Sequence, residues 1–328
     1  NGDVTFSGAV GDAAGARLGA LAVNSGSATQ LDGAVYAASI ATDAGGTLVI
    51  NGGRVDTTGT QSYGELATLG ADTVLKGSTV SLLAGADGSH ALTIAGNAVV
   101  NGALGATDRL ASLSISGNAE LGGGVINTAG VQSYQGNVTL ADDLSITTAN
   151  GNVAFSGTVA SAAGAGKGLT VNAGNGDVTF SGAVGDAAGA RLGALAVNSG
   201  GATRLQRAVY AASVSTDAGG TLAINGGRVD TSGTQSYGEL ATLGADTVLK
   251  GSTITLSQGV DSTDETQGLT IAGNAVIGGA VGAGSNARLA SLTITGTAAL
   301  GGGAIDTVGA QSYQGNVTLA DDLNINTA

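Results

Sequence analysis

The sequence has no cysteine and no proline, and only 3% of its residues are aromatic. Without cysteine, the chain can form neither a disulfide framework nor a thiolate metal site. Proline lacks the backbone N–H that an interior strand donates, so its absence from 328 residues favours a fold in which nearly every strand is hydrogen-bonded on both sides. The scarcity of aromatic residues indicates a narrow core built from Val, Leu, Ile and Ala.

Basic residues are also scarce, since 11 Lys and Arg face 24 Asp and Glu and the formal net charge is -13. An acidic surface repels phosphate groups, so we expect no nucleic-acid partner. The chain has no uninterrupted run of about 18 apolar residues and does not open with a basic stretch followed by an apolar one, so we expect neither membrane insertion of this segment nor a signal peptide. Because the chain begins and ends within a repeat, we interpret it as a fragment of a longer protein.

Glycine is abundant instead, with 60 residues. So high a share is typical of flexible linkers and disordered chains, but such chains lack apolar residues. Here hydrophobic residues make up 42% of the sequence, and the mean hydropathy is positive at +0.28. The chain can therefore bury a core.

Long segments of the sequence occur twice. Residues 1–26 return unchanged at 175–200, and GTQSYGELATLGADTVLKGST at 59–79 returns unchanged at 233–253. Length differences between the copies fall in polar stretches rich in Gly, Asp and Ser, and they leave the apolar triplets intact. This distribution indicates that the polar stretches are turns and the triplets are strands.

Apolar triplets with a small or polar middle residue recur throughout the first repeat (1–174) and the partial second repeat (175–328), among them VTF at 4–6 and LTI at 92–94. Their outer residues point one way and their middle residue the other, as in a strand with one buried face. Counting a second, weaker strand in each interval, the spacing is roughly 15 to 20 residues, the span of one β-solenoid coil. One coil buries too little apolar surface to fold alone, so coils must stack. We predict an all-β solenoid with coils of about 20 residues and essentially no α-helix.

Three phrases carry a resemblance to a known family: GTQSYGELATLGADTVL, VQSYQGNVTLADDLSITTANGNVAFSGTV and GLTVNAGNGDVTFSGAVG. They resemble the shaft repeats of filamentous-haemagglutinin-type exoproteins, large bacterial adhesins that include biofilm-matrix adhesins and are exported by two-partner secretion. The resemblance covers essentially the whole chain. It implies one continuous right-handed parallel β-helix over 1–328.

The same resemblance implies a function. The chain would be a structural shaft segment of a secreted adhesin, a stiff extracellular fibre that supports cell–cell, cell–surface or biofilm-matrix attachment. Its export partner would be an outer-membrane transporter, and its location would be extracellular, at the surface of a Gram-negative bacterium. The alternative is a carbohydrate-binding solenoid wall that itself binds exopolysaccharide, a neutral or cation-bridged polymer, through outward Thr, Asn, Gln and Tyr rows. Other copies of the chain are further candidate partners.

Motifs for enzymatic or metal chemistry are incomplete. GAGKG at 164–168 lacks the Ser or Thr that a phosphate-binding loop places after its Lys, and a strand pattern follows it. His90 is the only histidine, so neither a Ser–His–Asp set nor a histidine metal cluster can be built. We expect no enzyme, cofactor or metal, with a polysaccharide lyase as a third alternative. Two aspartate pairs could hold calcium, although a solvated turn fits them better: Asp142-Asp143 and Asp321-Asp322.

Four tyrosines stand in the tripeptide QSY and are the candidate ligand-stacking residues: Tyr63, Tyr134, Tyr237 and Tyr313. Their rings could form a ladder on which sugars stack. Alternatively, each could pack at a coil corner with its hydroxyl group satisfied.

The repeated stretch 59–79 contains no converging reactive groups, so we interpret it as a duplicated structural unit. We expect Gly70 and Gly77 in turns, and Glu65 and Lys76 on the solvated face. Four apolar residues are expected in the core and at corners: Leu66, Leu69, Val74 and Leu75.

Overall fold

The computed structural model describes residues 2–327, of which 54% are in strands and none are in helices. The strands stack in parallel and form a β-solenoid of about 16 turns spaced roughly 20 residues apart, so the predicted fold class is confirmed. The described residues accordingly provide no helix that could span a membrane. The chain divides into two compact units, Asn1–Gly157 and Thr158–Ala328.

The described part of the first unit contains eighteen strands: β1 (Val4–Phe6), β2 (Leu18–Val23), β3 (Ala28–Leu31), β4 (Val35–Thr42), β5 (Thr47–Ile50), β6 (Arg54–Thr57), β7 (Gln61–Tyr63), β8 (Ala67–Leu69), β9 (Thr73–Leu82), β10 (Ala86–Asp87), β11 (Ala91–Val100), β12 (Ser112–Ile115), β13 (Ala119–Leu121), β14 (Val125–Thr128), β15 (Gln132–Tyr134), β16 (Val138–Leu140), β17 (Leu144–Thr148) and β18 (Val153–Phe155).

The described part of the second unit contains nineteen strands: β19 (Val159–Ser161), β20 (Leu169–Gly174), β21 (Val178–Phe180), β22 (Leu192–Ser199), β23 (Ala202–Leu205), β24 (Val209–Thr216), β25 (Thr221–Ile224), β26 (Arg228–Thr231), β27 (Gln235–Tyr237), β28 (Ala241–Leu243), β29 (Thr247–Leu256), β30 (Val260–Ser262), β31 (Leu269–Ile277), β32 (Leu292–Ile294), β33 (Ala298–Leu300), β34 (Ala304–Thr307), β35 (Gln311–Tyr313), β36 (Val317–Leu319) and β37 (Asn324–Thr327).

Coils of the first unit contribute one strand segment to each of three faces, and equivalent residues of successive coils lie side by side. The inward residues form continuous buried rows, which explains why the outer positions of the triplets are apolar. Three such rows are Thr29, Leu48, Ala67 and Ala86; Val35, Val55, Leu75 and Ile94; and Ile40, Gln61, Val80 and Ala98.

The second unit has the same internal organisation. Its strands also pair in parallel with the coil before and the coil after, so interior strands use their N–H groups on the neighbouring coil, in keeping with the lack of proline. The corresponding buried rows are Thr203, Leu222, Ala241 and Val260; Val209, Val229, Leu249 and Ile271; and Val214, Gln235, Ile254 and Ala275.

Close approach of successive coils explains part of the glycine content. Gly46 has a φ of +81°, and a Cβ atom there would collide with the carbonyl oxygen of Ser27 in the preceding coil. Gly220 repeats this arrangement against Gly201. Only glycine combines this left-handed conformation with the absence of a side chain.

The repeated stretch departs from two of the predicted orientations. Glu65 is 2% exposed rather than solvated, and Leu66 is 42% exposed rather than in the core. The hydroxyl oxygen of Thr42 accepts a hydrogen bond from the Gly64 N–H and donates one to Glu65 Oε2. These hydrogen bonds to the preceding coil hold the carboxyl group in the corner, and the following side chain points outward.

The turn prediction for Gly77 is also wrong, because this glycine lies inside β9. Val74, predicted in the core or at a corner, is half-buried. Two leucines are buried, the lysine is exposed and a glycine lies in a bend, as predicted: Leu69, Leu75, Lys76 and Gly70.

Candidate binding surface

The first QSY tripeptide belongs to a longer corner motif, T-x-G-x-Q-S-Y. Thr57 ends β6, and its hydroxyl group donates to the carbonyl oxygen of Gly59 at 3.0 Å. Gln61 points into the core, where its side-chain amide donates to the carbonyl oxygen of Lys76 in the next coil at 2.7 Å. Its Oε1 atom accepts a hydrogen bond from the Tyr63 hydroxyl at 2.9 Å. The motif therefore satisfies its own buried polar groups.

The same motif and the same side-chain hydrogen bonds recur at 128–134, 231–237 and 307–313.

The burial of these tyrosines contradicts the alternative in which their rings form a ladder for sugar stacking. Tyr63, Tyr134 and Tyr237 are at most 1% exposed, and their burial raises the pKa of each phenol. Tyr313, in the last described coil, is half-buried, and burial raises the pKa of its phenol too. The three fully buried rings offer no face on which a sugar could stack, and each packs at a corner with its hydroxyl group satisfied.

The remaining sequence candidates do not assemble into a site. Within residues 2–327, no group of three or more His, Cys, Asp or Glu side chains is placed to hold a metal ion. His90 Nδ1 lies 3.6 Å from Asp72 Oδ1, and both side chains are exposed. In the GAGKG segment, Gly164 and Gly166 have positive φ angles, and strand β20 follows them where a phosphate-binding loop would have a helix.

Five other side chains of the first unit gather on its outer surface and form what we call the first charged cluster: Arg17, Tyr36, Arg54, Asp56 and Lys76. Tyr36, Asp56 and Lys76 lie beside one another in successive coils, on β4, β6 and β9. Arg54 precedes Asp56 by two residues and therefore lies on the same side of β6. Arg17 ends the loop before β2.

Asp56 is the centre of the first charged cluster, with its side chain only 5% exposed. Its Oδ1 atom lies 2.8 Å from Arg17 Nη2, and its Oδ2 atom lies 2.6 Å from Arg54 Nη2 and 3.5 Å from Lys76 Nζ. Arg17 Nη1 also donates to the carbonyl oxygen of Asp56 at 2.6 Å. The same guanidinium group lies over the Tyr36 ring, 5.6 Å from its centroid.

The charges of the first cluster do not balance. Burial raises the pKa of Asp56, but hydrogen bonds from Arg54 and Arg17, with the positive charges of Arg17 and Lys76, outweigh it and hold the pKa below its ordinary value. The carboxyl group is therefore ionised at neutral pH. Three positive charges surround one negative charge, so the cluster carries a net excess of two positive charges.

The second unit repeats the arrangement, and we call this group the second charged cluster: Arg191, Tyr210, Arg228, Asp230 and Lys250. The Asp230 carboxylate lies 3.1 Å from Arg191, 2.5 Å from Arg228 and 3.4 Å from Lys250. Arg191 lies 5.6 Å from the centroid of the Tyr210 ring. Burial again raises the pKa of Asp230, and the hydrogen bonds from Arg228 and Arg191 reverse this and lower it.

The two clusters can offer donors and positive charge to an anion. They contain six of the 11 basic residues of the chain. Arg54 uses one of its five N–H groups on Asp56, and Lys76 makes only the 3.5 Å contact, while their side chains are 38% and 53% exposed. Within each cluster, no nucleophile lies beside a base.

The sequence indicated only part of this surface. The repeat pairs Arg17, Arg54 and Lys76 with equivalent residues, but it does not show that they meet. Arg17 lies 39 positions before Asp56, and a hydrogen bond across two coils leaves no local pattern. Tyr36 lies outside the QSY tripeptides, so that motif does not mark it. Its outward position follows from the period-two pattern of β4 once the strand is known.

Comparison with known proteins gave no match to a protein-family model, a curated protein or a solved structure. The fold and the two charged clusters are therefore described from the sequence and structure of this chain.

Proposed function

We propose that the chain is a structural shaft segment of a secreted bacterial adhesin, a stiff extracellular fibre that supports cell–cell, cell–surface or biofilm-matrix attachment. The observation that supports this proposal best is the T-x-G-x-Q-S-Y motif. Its recurring side chains point into the solenoid and form hydrogen bonds there. The repeated residues therefore stabilise the coils of the fold.

The direction of those side chains distinguishes a scaffold from a repeated ligand site. A ligand site needs its repeated polar groups on the surface, whereas Gln61 and Gln235 are 0% exposed. A fully satisfied buried network specifies corner geometry and coil register. Stacked coils share their stability with their neighbours, which suits a chain that must bear load along many repeats.

The resemblance to filamentous-haemagglutinin-type shafts supplies the cellular part of the proposal. It supports export through an outer-membrane two-partner-secretion transporter and an extracellular location at the surface of a Gram-negative bacterium. We propose a non-enzymatic role, because neither charged cluster places a nucleophile beside a general base.

Removal of residues 59–232 in the bacterium that makes the protein tests the shaft role. Because 59–79 and 233–253 are identical, this deletion rejoins the chain without a foreign junction and keeps the coils in phase. The shortened protein should still be labelled by antibody on intact cells, and the cells should still attach to surfaces.

Removal of 59–222 is the matched control. It joins Thr58, inside the corner motif, to Ala223 of β25, a strand of a different face. The rest of the corner motif is missing at this junction, so we expect a poorly folded protein and weak attachment. If cells that display the folded 59–232 deletion no longer attach, the shaft proposal is contradicted.

The second candidate function, a solenoid wall that itself binds polysaccharide, is favoured by one observation, the two charged clusters. Their exposed Arg and Lys donors exceed what the single carboxylate in each cluster requires.

A further inference from the structure

We infer that each charged cluster binds an acidic polysaccharide through carboxylate groups of the polymer. The inference rests on the second candidate function and names its ligand class. It holds whether or not the chain also serves as a shaft, because it concerns the outer surface and the shaft role concerns the interior.

Anchoring of a loop explains only part of the first charged cluster. Arg17 holds the end of its loop through hydrogen bonds to the side chain and the carbonyl oxygen of Asp56 and through its position over the Tyr36 ring. One arginine and one aspartate suffice for that purpose. Arg54 and Lys76 add two positive charges that repel Arg17 and each other, so a purely structural role leaves them unexplained.

The excess charge is unusual for this chain. With a net charge of -13, most of the surface repels anions, and the clusters are local exceptions. Within a Debye length of about 8 Å at physiological salt, the nearest charges dominate what a ligand senses. The unused N–H groups of Arg54 and Lys76 are the donors that pair most strongly with a carboxylate.

Differences between the two repeats leave the clusters unchanged. Other outward or corner positions have changed in type or charge, whereas all five cluster residues are identical in both copies. The changed positions include Gln30 and Arg204, Asp32 and Gln206, Gly33 and Arg207, and Thr58 and Ser232.

The surroundings favour a glycan over a nucleic acid. Thr58 and Ser78 follow Asp56 and Lys76 by two residues, and both are exposed, so surface hydroxyl groups lie close in sequence to the cluster. A uronic-acid-type polymer carries one carboxylate and several hydroxyl groups on each sugar, which matches a small cationic centre with polar edges. A nucleic acid instead needs a long basic stripe to neutralise successive phosphates.

Binding of polygalacturonate to the whole chain, with dextran sulfate and neutral dextran as parallel probes, tests the inference. The cluster variant combines Arg54→Gln, Lys76→Gln, Arg228→Gln and Lys250→Gln and keeps both Arg–Asp pairs that anchor the loops. We expect the full chain to bind polygalacturonate at low salt and the cluster variant to lose at least about tenfold in affinity.

A charge-matched variant separates specific recognition from net charge. It combines Arg109→Gln, Arg204→Gln, Arg207→Gln and Arg288→Gln, which removes the same number of cations elsewhere, and it should lose less than about threefold. Equal losses in the two variants would overturn the inference, as would absence of binding to polygalacturonate or binding to dextran sulfate alone. Sedimentation of the chain without glycan completes the test. If the cluster variant abolishes self-association of a chain that binds no glycan, the partner is a second copy and the inference is wrong.

Discussion

The corner motif provides the sharpest test of what holds a coil together. Gln61→Leu keeps the volume of the side chain but removes its hydrogen bonds to the carbonyl oxygens of Val55 and Lys76, which measure 3.0 and 2.7 Å. It also leaves the Tyr63 hydroxyl, which is 0% exposed, without an acceptor. Each buried polar group left unpaired costs about 1 to 3 kcal/mol, so we expect the local opening free energy to fall by about 2 to 4 kcal/mol.

A double-mutant cycle shows whether the two side chains act together. Tyr63→Phe alone leaves Gln61 Oε1 without its donor and should cost about 1 to 2 kcal/mol. The double variant removes both partners, so its loss should fall short of the sum of the single losses by about 1 kcal/mol. Native-state hydrogen exchange of peptides from 54–82 measures these values coil by coil, which suits a repeat array that need not unfold in one step.

The last described coil supplies the matched control. Gln311 and Tyr313 make the same hydrogen bonds, but both are half-exposed, so water can replace a lost partner. Gln311→Leu should therefore cost less than about 1 kcal/mol. Equal losses at the two corners, or strictly additive effects at Gln61 and Tyr63, would refute the reasoning.

Three further predictions concern single residues. The pKa of Asp56 lies below its ordinary value of 3.8, so the stability from its ion pairs is present above that value and is lost as the pH falls through the lowered pKa. Acid protease should cleave the loop ending at Arg17 only in that acid range, whereas Asp56→Asn should expose the loop at higher pH. Burial raises the pKa of Glu239 above 4.5, so the opening free energy of its coil, obtained from amide exchange corrected for the intrinsic rate at each pH, should be highest below pH 4.5 and fall as the pH rises through the raised pKa; Glu239→Gln should abolish this fall. Gly46→Ala should cost at least about 2 kcal/mol in denaturant unfolding, whereas Gly19→Ala, with nothing within 4 Å of a Cβ atom, should change stability by less than about 0.5 kcal/mol.

Period-two alternation was sufficient to predict most of the core. In LTI at 92–94, Leu92 and Ile94 are buried and Thr93 points outward, as in any strand with one covered face. The polar stretches rich in Gly, Asp and Ser indicated where the chain turns. The repeat indicated stacking, because one coil buries too little apolar surface to fold alone. These features depend on short sequence separations or on repetition, and both are visible in the sequence.

Corner side chains were harder to predict, because alternation breaks where the chain turns. In the stretch Gly64, Glu65, Leu66, residue polarity alone assigned the carboxyl group to solvent and the leucine to the core. The structure reverses both, because Thr42 in the preceding coil hydrogen-bonds the carboxyl group. A contact over 23 positions decides the orientation, and no local pattern reports it.

The candidate surface was difficult to predict for a related reason. The sequence emphasised the four QSY tyrosines, whose aromatic rings suggest sugar binding, but the preceding glutamine draws each ring inward. The tyrosines outside the motif, Tyr36 and Tyr210, lie on the outer surface instead. Their association with arginines depends on loops that reach across two coils.

Stretching a single molecule of the chain between two handles tests the proposed shaft role most directly. Coils that share stability with their neighbours should resist force and then release in discrete steps of roughly 70 Å or multiples of it, the extended length of one coil of about 20 residues. Gln61→Leu should lower the force of the step that contains its coil and leave other steps unchanged. Smooth extension at low force, without steps, would contradict the account.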